Sequence, residues 1–547
     1  MKNILFNTNS SASIRFLIII ILTLSFTTFC VRESARIGRL ATSPNYDDVV
    51  YFHEGAILLQ SLKTDGLRGF RTFLNDRGLH SPYSIFLAAT AFETLGLHES
   101  SPYEADSLVV LTYLIGIAWF LRKLPLLAWS AGLLLFLTPP FITMGVVEFR
   151  PDIAWAVVMG FGIVVMVTSE SLFRNPKSAA VAGLFLALAL IIKPSTFVMT
   201  LLLYSGAILS RIVGAVWESR WRSAVRETFP GVVAFSGTIL VVAGPYWWRF
   251  GKDAVSYFME NSFGKNKAIW VFQGDFSKFL LFYVTGEGAQ SNISISGSIL
   301  CLLALVCLFY LWVKSPDLRW KLFSILMLLL GALMVNTVAQ MKSPFLGGGI
   351  YGVLIFASAY VIGKAYIVFQ PTVGKLELRR VGWKTAVLMI AASLAIIFYR
   401  WPEYSNWGRD RASMNNFRFA NNFMQSLLNK HVANPPKSIL FTASGPIIME
   451  STGFWFPLHG LKSTVCSCIF IRKKEQFQQI YSKNDWIVIQ EQGVMGTFEN
   501  IPSEKLLPTL LAELKDDSNY SQIAEFVSGN SRKVWVYSRR KSDDRLN

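Results

Sequence analysis

Apolar runs long enough to span or nearly span a bilayer, which takes about 20 residues, recur about eleven times along this chain. They begin near Phe16, Ser107, Leu124, Pro151, Ser178, Thr196, Gly231, Ile293, Leu322, Gly349 and Ala386. In hydrocarbon each backbone N–H and C=O must find its partner within its own segment, so such runs form helices. The repetition therefore predicts a mainly α, polytopic transmembrane bundle. Composition agrees, because only 16% of residues are charged against roughly 25% in soluble domains, and the mean hydropathy is +0.41. Many Trp and Tyr residues fall near the ends of the runs, as interfacial anchors do.

The net charge of +17 lies in short connectors rather than in a basic, aromatic-interleaved soluble module. That distribution argues against nucleic acid as a partner and reads as a topology signal. Alternate connectors are the basic ones: Arg122-Lys123, Arg174 with Lys177, the Arg211, Arg220, Arg222 and Arg226 group, Lys314 with Arg319 and Lys321, and Lys375 with Arg379, Arg380 and Lys384. Assigning these to the cytoplasm also places Lys2 and Arg15 there. The N-terminus is then cytoplasmic and the C-terminal region extracytoplasmic. Phe16 to Val31 reads as an uncleaved first span, since no small-x-small cleavage site stands out before Arg32.

Residues 1–400 are expected to form the bundle, with a long first outer loop at about 32–106. Residues 401–547 change character: Pro and charge return, and no spanning run follows. Short apolar runs at Ile439 to Phe441, Trp486 to Ile489 and Val534 to Tyr537 alternate with polar helical stretches. They predict a small C-terminal α/β soluble domain. Cys466 and Cys468 form a C-x-C without further ligands at metal spacing, and Cys30, Cys301 and Cys307 lie in or beside apolar runs.

Polar residues collect on the outer side. Asp47 and Asp48 open the first amphipathic segment; in a helix, Asp47, Tyr51 and Glu54 stand at i, i+4 and i+7 on one face. Such acids serve either as dipole complements at a helix start or as a reactive carboxylate pair. His80, in Gly78-Leu79-His80-Ser81-Pro82-Tyr83, can donate to an anion or simply sit in a loop. Arg150 in Arg150-Pro151-Asp152 can pair with Asp152 or Glu148, or offer its donor fork to a phosphate. Lys193, before Pro194, is costly inside hydrocarbon, so it either snorkels or pairs with an anion. Lys342, with Arg249, Lys252, Lys265 and Lys267, adds further outer cations. A carboxylate base with phosphate-holding cations is what sugar transfer from a polyprenyl-phosphate donor requires.

In order and spacing these elements resemble the membrane-embedded glycosyltransferases of the GT-C superfamily, in the protein mannosyltransferase and aminoarabinose-transferase branch. The carriers are Asp47-Asp48-Val49-Val50-Tyr51, His80-Ser81-Pro82-Tyr83, Arg150-Pro151-Asp152 and Leu190-Ile191-Ile192-Lys193-Pro194. The resemblance implies outer-loop helices lying along the membrane and Asp47 at the position of the catalytic base. Asp48 stands where the family has Glu, and His80-Ser81-Pro82 departs from His-Pro-Pro. Taken with the outer cations, it leads to the expectation of an inverting glycosyltransferase in a bacterial inner membrane, in which Asp47 acts with Asp48, and Lys193, Arg150, Lys342 and His80 hold the donor phosphate. Tyr51 and Glu54 would support the site or the acceptor, a glycan, lipid or protein. No cofactor is required, although Asp47, Asp48 and Glu54 have the chemistry to hold a divalent metal. The rival readings are a polysaccharide or O-antigen ligase, a transporter or flippase of lipid-linked or anionic solutes, and a non-catalytic scaffold. The transporter reading requires charges within spans and broken helices in both halves, of which the sequence gives little sign.

Overall fold

The computed structural model describes residues 10–37, 47–76, 81–169, 172–217, 221–264, 266–267, 271–272, 274–370, 384, 387–398, 411–442, 449–461, 463–468, 471–491, 502–527 and 533–540. Its longer helices are α1 (Ser10–Ile37), α2 (Asp47–Asp76), α3 (Pro82–Leu95), α4 (Ser101–Leu121), α5 (Leu126–Phe136), α6 (Pro140–Val147) and α7 (Pro151–Thr168). They continue with α8 (Pro176–Ile192), α9 (Phe197–Trp217), α10 (Trp221–Val242), α11 (Gly244–Ser262), α12 (Ser294–Lys314), α13 (Arg319–Val338), α14 (Gly348–Phe369) and α15 (Val387–Phe398). The C-terminal region adds α16 (Arg411–Lys430), α17 (Met449–Leu458), α18 (Lys474–Tyr481) and α19 (Leu507–Asp516).

Among the described residues, seven helices are long and apolar enough to cross a membrane, nine if each of two bent pairs is one span, and α8 and α15 are shorter apolar helices. Each of the eleven expected runs thus has a helix. The bent pairs are α5–α6 at 64° and α10–α11 at 63°. Broken spans therefore do occur in both halves, contrary to the sequence reading. Their cause is local: Pro139-Pro140 and Gly244-Pro245 remove backbone donors where the helix would continue.

The chain divides into two compact units. The first comprises Met1–Glu33, Leu74–Ser84 and Tyr103–Trp407; the second comprises Ser34–Phe73, Ile85–Pro102 and Gly408–Asn547. The first is built around α7 and α14, each with 83% of its apolar window buried. They cross with almost no side chain between them. A Cβ on Gly160 would stand 2.4 Å from the Gly352 carbonyl carbon, and one on Gly352 would stand 2.3 Å from the Ala156 oxygen. Small residues at such spacing let membrane helices approach backbone to backbone. At another end of the bundle, the Arg15 guanidinium donates to the Arg122 and Leu124 carbonyls, at 2.7 and 2.8 Å. The two basic segments assigned to one side of the membrane do lie together.

The second unit holds a five-stranded sheet in the order β2-β1-β3-β5-β4. Its strands are β1 (Ser438–Phe441), β2 (Thr464–Ser467), β3 (Trp486–Gln490), β4 (Tyr520–Val527) and β5 (Lys533–Arg539). β1 pairs parallel to β2 and β3, whereas β5 runs antiparallel to β3 and β4. Residues of α16 and α17 form a core on one face with Ile439, Phe441 and Val536. Residues of α18 and α19 form a second core on the other, with Leu440, Ile487 and Trp535. Cys466 and Cys468 are free thiols on β2 and just beyond it, and both are held within this unit.

Candidate functional site

In the first unit, three elements bring charge to one end of the bundle. Pro151 fixes the start of α7, placing Arg150 at its cap and Asp152 in its first turn. The α8 helix ends at Ile192, and Lys193 caps it before a 3₁₀ turn, Pro194–Thr196. The connector from α13 to α14 carries Lys342, followed by a second such turn, Pro344–Gly347. The amino ends of α7 and α14 each carry the positive end of a helix dipole, which suits an anion.

Pairing in this cluster crosses between helices. Lys193 Nζ donates to Asp152 Oδ1, and both side chains are buried or nearly so. Arg150 Nε lies 3.5 Å from Glu148 Oε2, and its guanidinium stands 4.2 Å over the Phe345 ring. Of the pairings open to Arg150, the chain takes Glu148 and leaves Asp152 to Lys193. Glu148 and Arg150 have extended backbones, in which residues two apart share a face, whereas Lys193 reaches Asp152 from the end of α8. Lys342 Nζ donates to the Asn336 and Thr337 carbonyls, at 2.7 and 2.8 Å, and sits 3.9 Å from the Phe279 ring centre. An ammonium has three N–H groups; two go to these carbonyls and the charge also lies over the Phe279 ring. Burial pulls Lys342 down to about 8, which makes it sensitive to any anion that approaches. Its segment is pinned by Tyr283, whose hydroxyl donates to the Ser343 carbonyl at 3.0 Å, and by Asn292, whose amide donates to the Pro344 carbonyl at 3.0 Å.

His80 lies outside the described residues. The next residue, Ser81, is buried, and its hydroxyl donates to the Ile192 carbonyl at 2.8 Å, beside Lys193. Arg249 donates to the Asn75 side chain and, at 3.4 Å, to the Leu74 carbonyl.

An apolar groove of about 420 Å³ runs between α9 and α13. Met199 and Val335 form one rim; Met327 and Phe323 follow on α13 and Gly206 on α9, and Trp320 lies at the far end. Ser210 and Ser324 join across the groove at 2.6 Å, and Trp320 Nε1 donates to the Ser210 carbonyl. The rim adjoins the cation cluster through the chain itself. Val335 precedes Asn336, which accepts from Lys342, and Met199 follows the turn whose Thr196 hydroxyl donates to the Lys193 carbonyl.

In the second unit, α2 begins at Asp47, so the two aspartates occupy a helix start as expected. Their side chains lie outside the described residues. Beyond them Tyr51 is buried, and His53 and Glu54 are partly buried. Gly66, at φ 55, breaks the helix further on. Glu99, after α3, is pushed up to about 7 by burial. Among the described residues no group of three or more His, Cys, Asp or Glu side chains is placed to hold a metal ion.

No family model matches the chain, and no curated protein matches its sequence. The fold does have solved counterparts. Two crystal structures of ArnT from Cupriavidus metallidurans, one bound to undecaprenyl phosphate and one in the apo state, align over 94% of this chain and 97% of that chain. The TM-score is 0.56 for each, at 11% identity. The fold is ArnT-like. It meets, at the level of architecture, the resemblance to GT-C enzymes drawn from the sequence motifs. Within this ArnT-like bundle, Asp152 pairs with Lys193, where the sequence reading offered it as a partner for Arg150 and as part of the Arg150-Pro151-Asp152 element. Its signal was present, since it is an acid in the first turn of an otherwise apolar span.

Proposed function

We propose that this chain is an inverting glycosyltransferase that moves a sugar from a polyprenyl-phosphate donor to an acceptor on the outer face of a bacterial inner membrane. The observation that carries the reading is the meeting of Arg150, Lys193 and Lys342 at one end of the bundle, beside the rim of an apolar groove. A lipid phosphate needs both features, a cationic seat for its headgroup and an apolar channel for its chain. The groove volume falls within the usual range for a bound ligand, about 300–1,000 Å³. ArnT, with which the fold is shared, has been crystallised with undecaprenyl phosphate.

In this scheme Asp47, supported by Asp48, takes the proton of the acceptor hydroxyl as its oxygen bonds to the anomeric carbon. The bond from that carbon to the phosphate oxygen breaks, and polyprenyl phosphate leaves. The charge appearing on the phosphate is stabilised by Lys342, Arg150 and Lys193, already fixed by their neighbours. Lys193 reaches the phosphate from its place on Asp152. His80 would add a donor, and Tyr51 and Glu54 would support the acceptor side. No step calls for a metal.

Two bent spans give the transporter reading some support. Against it, the paired charges stand at helix ends, where α7 starts and α8 stops. The test is lipid-linked sugar transfer by membranes carrying Asp47→Asn. A fall on the order of 10²–10⁴-fold is expected for loss of a general base. Full transfer by a well-folded variant removes Asp47 from the mechanism, and sugar-lipid movement without transfer to an acceptor replaces the enzyme with a carrier.

A further inference from the structure

The C-terminal α/β region has no task in the scheme above, yet one of its helices reaches the helix that carries the aspartates. The sequence of α17 includes Gly453-Phe454-Trp455-Phe456, apolar on more than one face. A helix of that kind is buried on more than one side. Trp455 and Phe456 enter the core beneath the sheet, with Ile439, Phe441, Trp486 and Val536. Phe454 is absent from that core. Its ring centre lies 5.6 Å from Phe52 on α2, at an interplanar angle of 63°, and 5.6 Å from Phe92 on α3, at 25°. Phe52 and Phe92 close the triangle at 6.1 Å and 87°. All three rings are buried, at 1%, 0% and 3% exposure for Phe454, Phe52 and Phe92.

The neighbouring contacts tighten the same joint. Gly453 gives the His53 ring room: a Cβ there would stand 3.4 Å from its Nδ1 and 2.7 Å from Val465 on β2. On the far side of α2, Gly55 lets α3 approach, since a Cβ on it would stand 2.6 Å from that of Ala88. Phe52 follows Asp48 by one helical turn and Asp47 by five residues. The α2 helix is therefore gripped directly after its acidic start, with α17 at one contact and α3 at another.

We propose that Phe454 is a positioning residue: through Phe52 it sets the place and tilt of the α2 amino end, so that the C-terminal domain aims Asp47 and Asp48. The inference rests on the reading of Asp47 as the base. It assigns the domain a part in the rate of transfer rather than in donor capture. A small misplacement of a catalytic group can cost about 100-fold in rate, and the loss falls on kcat when the donor seat is elsewhere.

The test uses the full chain in membranes or detergent. Phe454→Ala is expected to lower kcat about 10- to 100-fold and to leave KM for the lipid-linked donor within about twofold. Phe454→Tyr or Phe454→Leu is expected to restore part of the rate. Amide hydrogen exchange over residues 50–58 should quicken in Phe454→Ala while the β3 and β5 amides stay protected. Should Phe454→Ala fold poorly, the Phe52→Leu, Phe454→Leu pair and their double variant take its place, with strongly non-additive effects on kcat expected. Unchanged exchange in α2, a rise in KM without a fall in kcat, or additive effects in that cycle each overturn the proposal. Asp47→Asn, measured alongside, separates the two ideas. Full activity in that variant ends the assignment of the base, while the exchange experiment still decides whether Phe454 holds α2.

Discussion

The end of the bundle that gathers Arg150 and Lys193 and the surface of the second unit treat charge in opposite ways. In the membrane unit two ion pairs are buried, Asp152 with Lys193 at 7% and 14% side-chain exposure and Glu148 with Arg150 at 4% and 18%, while Lys278 with Asp275 stays exposed. In the second unit Lys63 with Glu93, at 52–61% exposure, and Lys533 with Glu525, at 35–49%, lie at the surface. Water screens the second set, so each such pair contributes little. The first set carries a desolvation cost that an apolar pair would avoid, and a buried pair is weak evidence of stability by itself. Two such pairs where two helices begin or end are what the proposed donor seat calls for.

Breaking one member of each pair should separate the two regimes. Asp152→Ala leaves the Lys193 ammonium without its counter-charge and is expected to cost about 3–5 kcal/mol, read as a lowered unfolding midpoint in detergent. Asp152→Leu with Lys193→Leu should recover most of that stability and none of the transfer activity. A double variant that transfers sugar at the native rate would show the pair to be structural only.

Lys342 sharpens the comparison through pH. Lowered to about 8 by burial, it is charged at pH 7 and loses its proton as pH rises through 8. Donor capture, read as kcat/KM of the free enzyme, should be level below pH 7 and fall up to about tenfold per unit beyond 8. Stability should move the other way. Between pH 8 and the ordinary lysine value near 10.4, the unfolded chain binds the proton that the folded chain has shed, so folding gains as pH rises. Lys342→Gln should abolish both trends; a kcat/KM profile that stays level through pH 9 in the native protein removes Lys342 from the donor seat. The smallest effect belongs to the second unit, where a double-mutant cycle on Lys63 and Glu93 should give a coupling below about 1 kcal/mol. A larger value would mean the two regions do not differ as described.

The bundle was legible because hydrocarbon burial writes a long, uniform signal into sequence, and every expected run became a helix. Strands β1, β3 and β5 were legible for a similar reason: their buried faces are dense in Ile, Val and Trp. β2, read as Thr-Val-Cys-Ser with no fully buried residue, and β4, where polar and apolar residues interleave over eight positions, lacked that density. At the site, residue type was readable and partnership was not. Nothing near position 150 specifies that Asp152 joins Lys193, forty-one residues on, because helix packing makes that choice. Phe454 was hidden likewise, since an aromatic run in a soluble domain looks like core until one of its rings is found on α2.

The contact between Gly160 and Gly352 has a consequence for the proposed anion seat. With main chain against main chain, there is no compliant layer to absorb sliding, and α7 and α14 behave as a single stiff strut. Arg150 rides at the tip of one member and Phe345 just ahead of the other. A bilayer that thickens or thins will tilt this strut before it shears it, so the spacing proposed to receive a phosphate is insulated from the lipid composition around it.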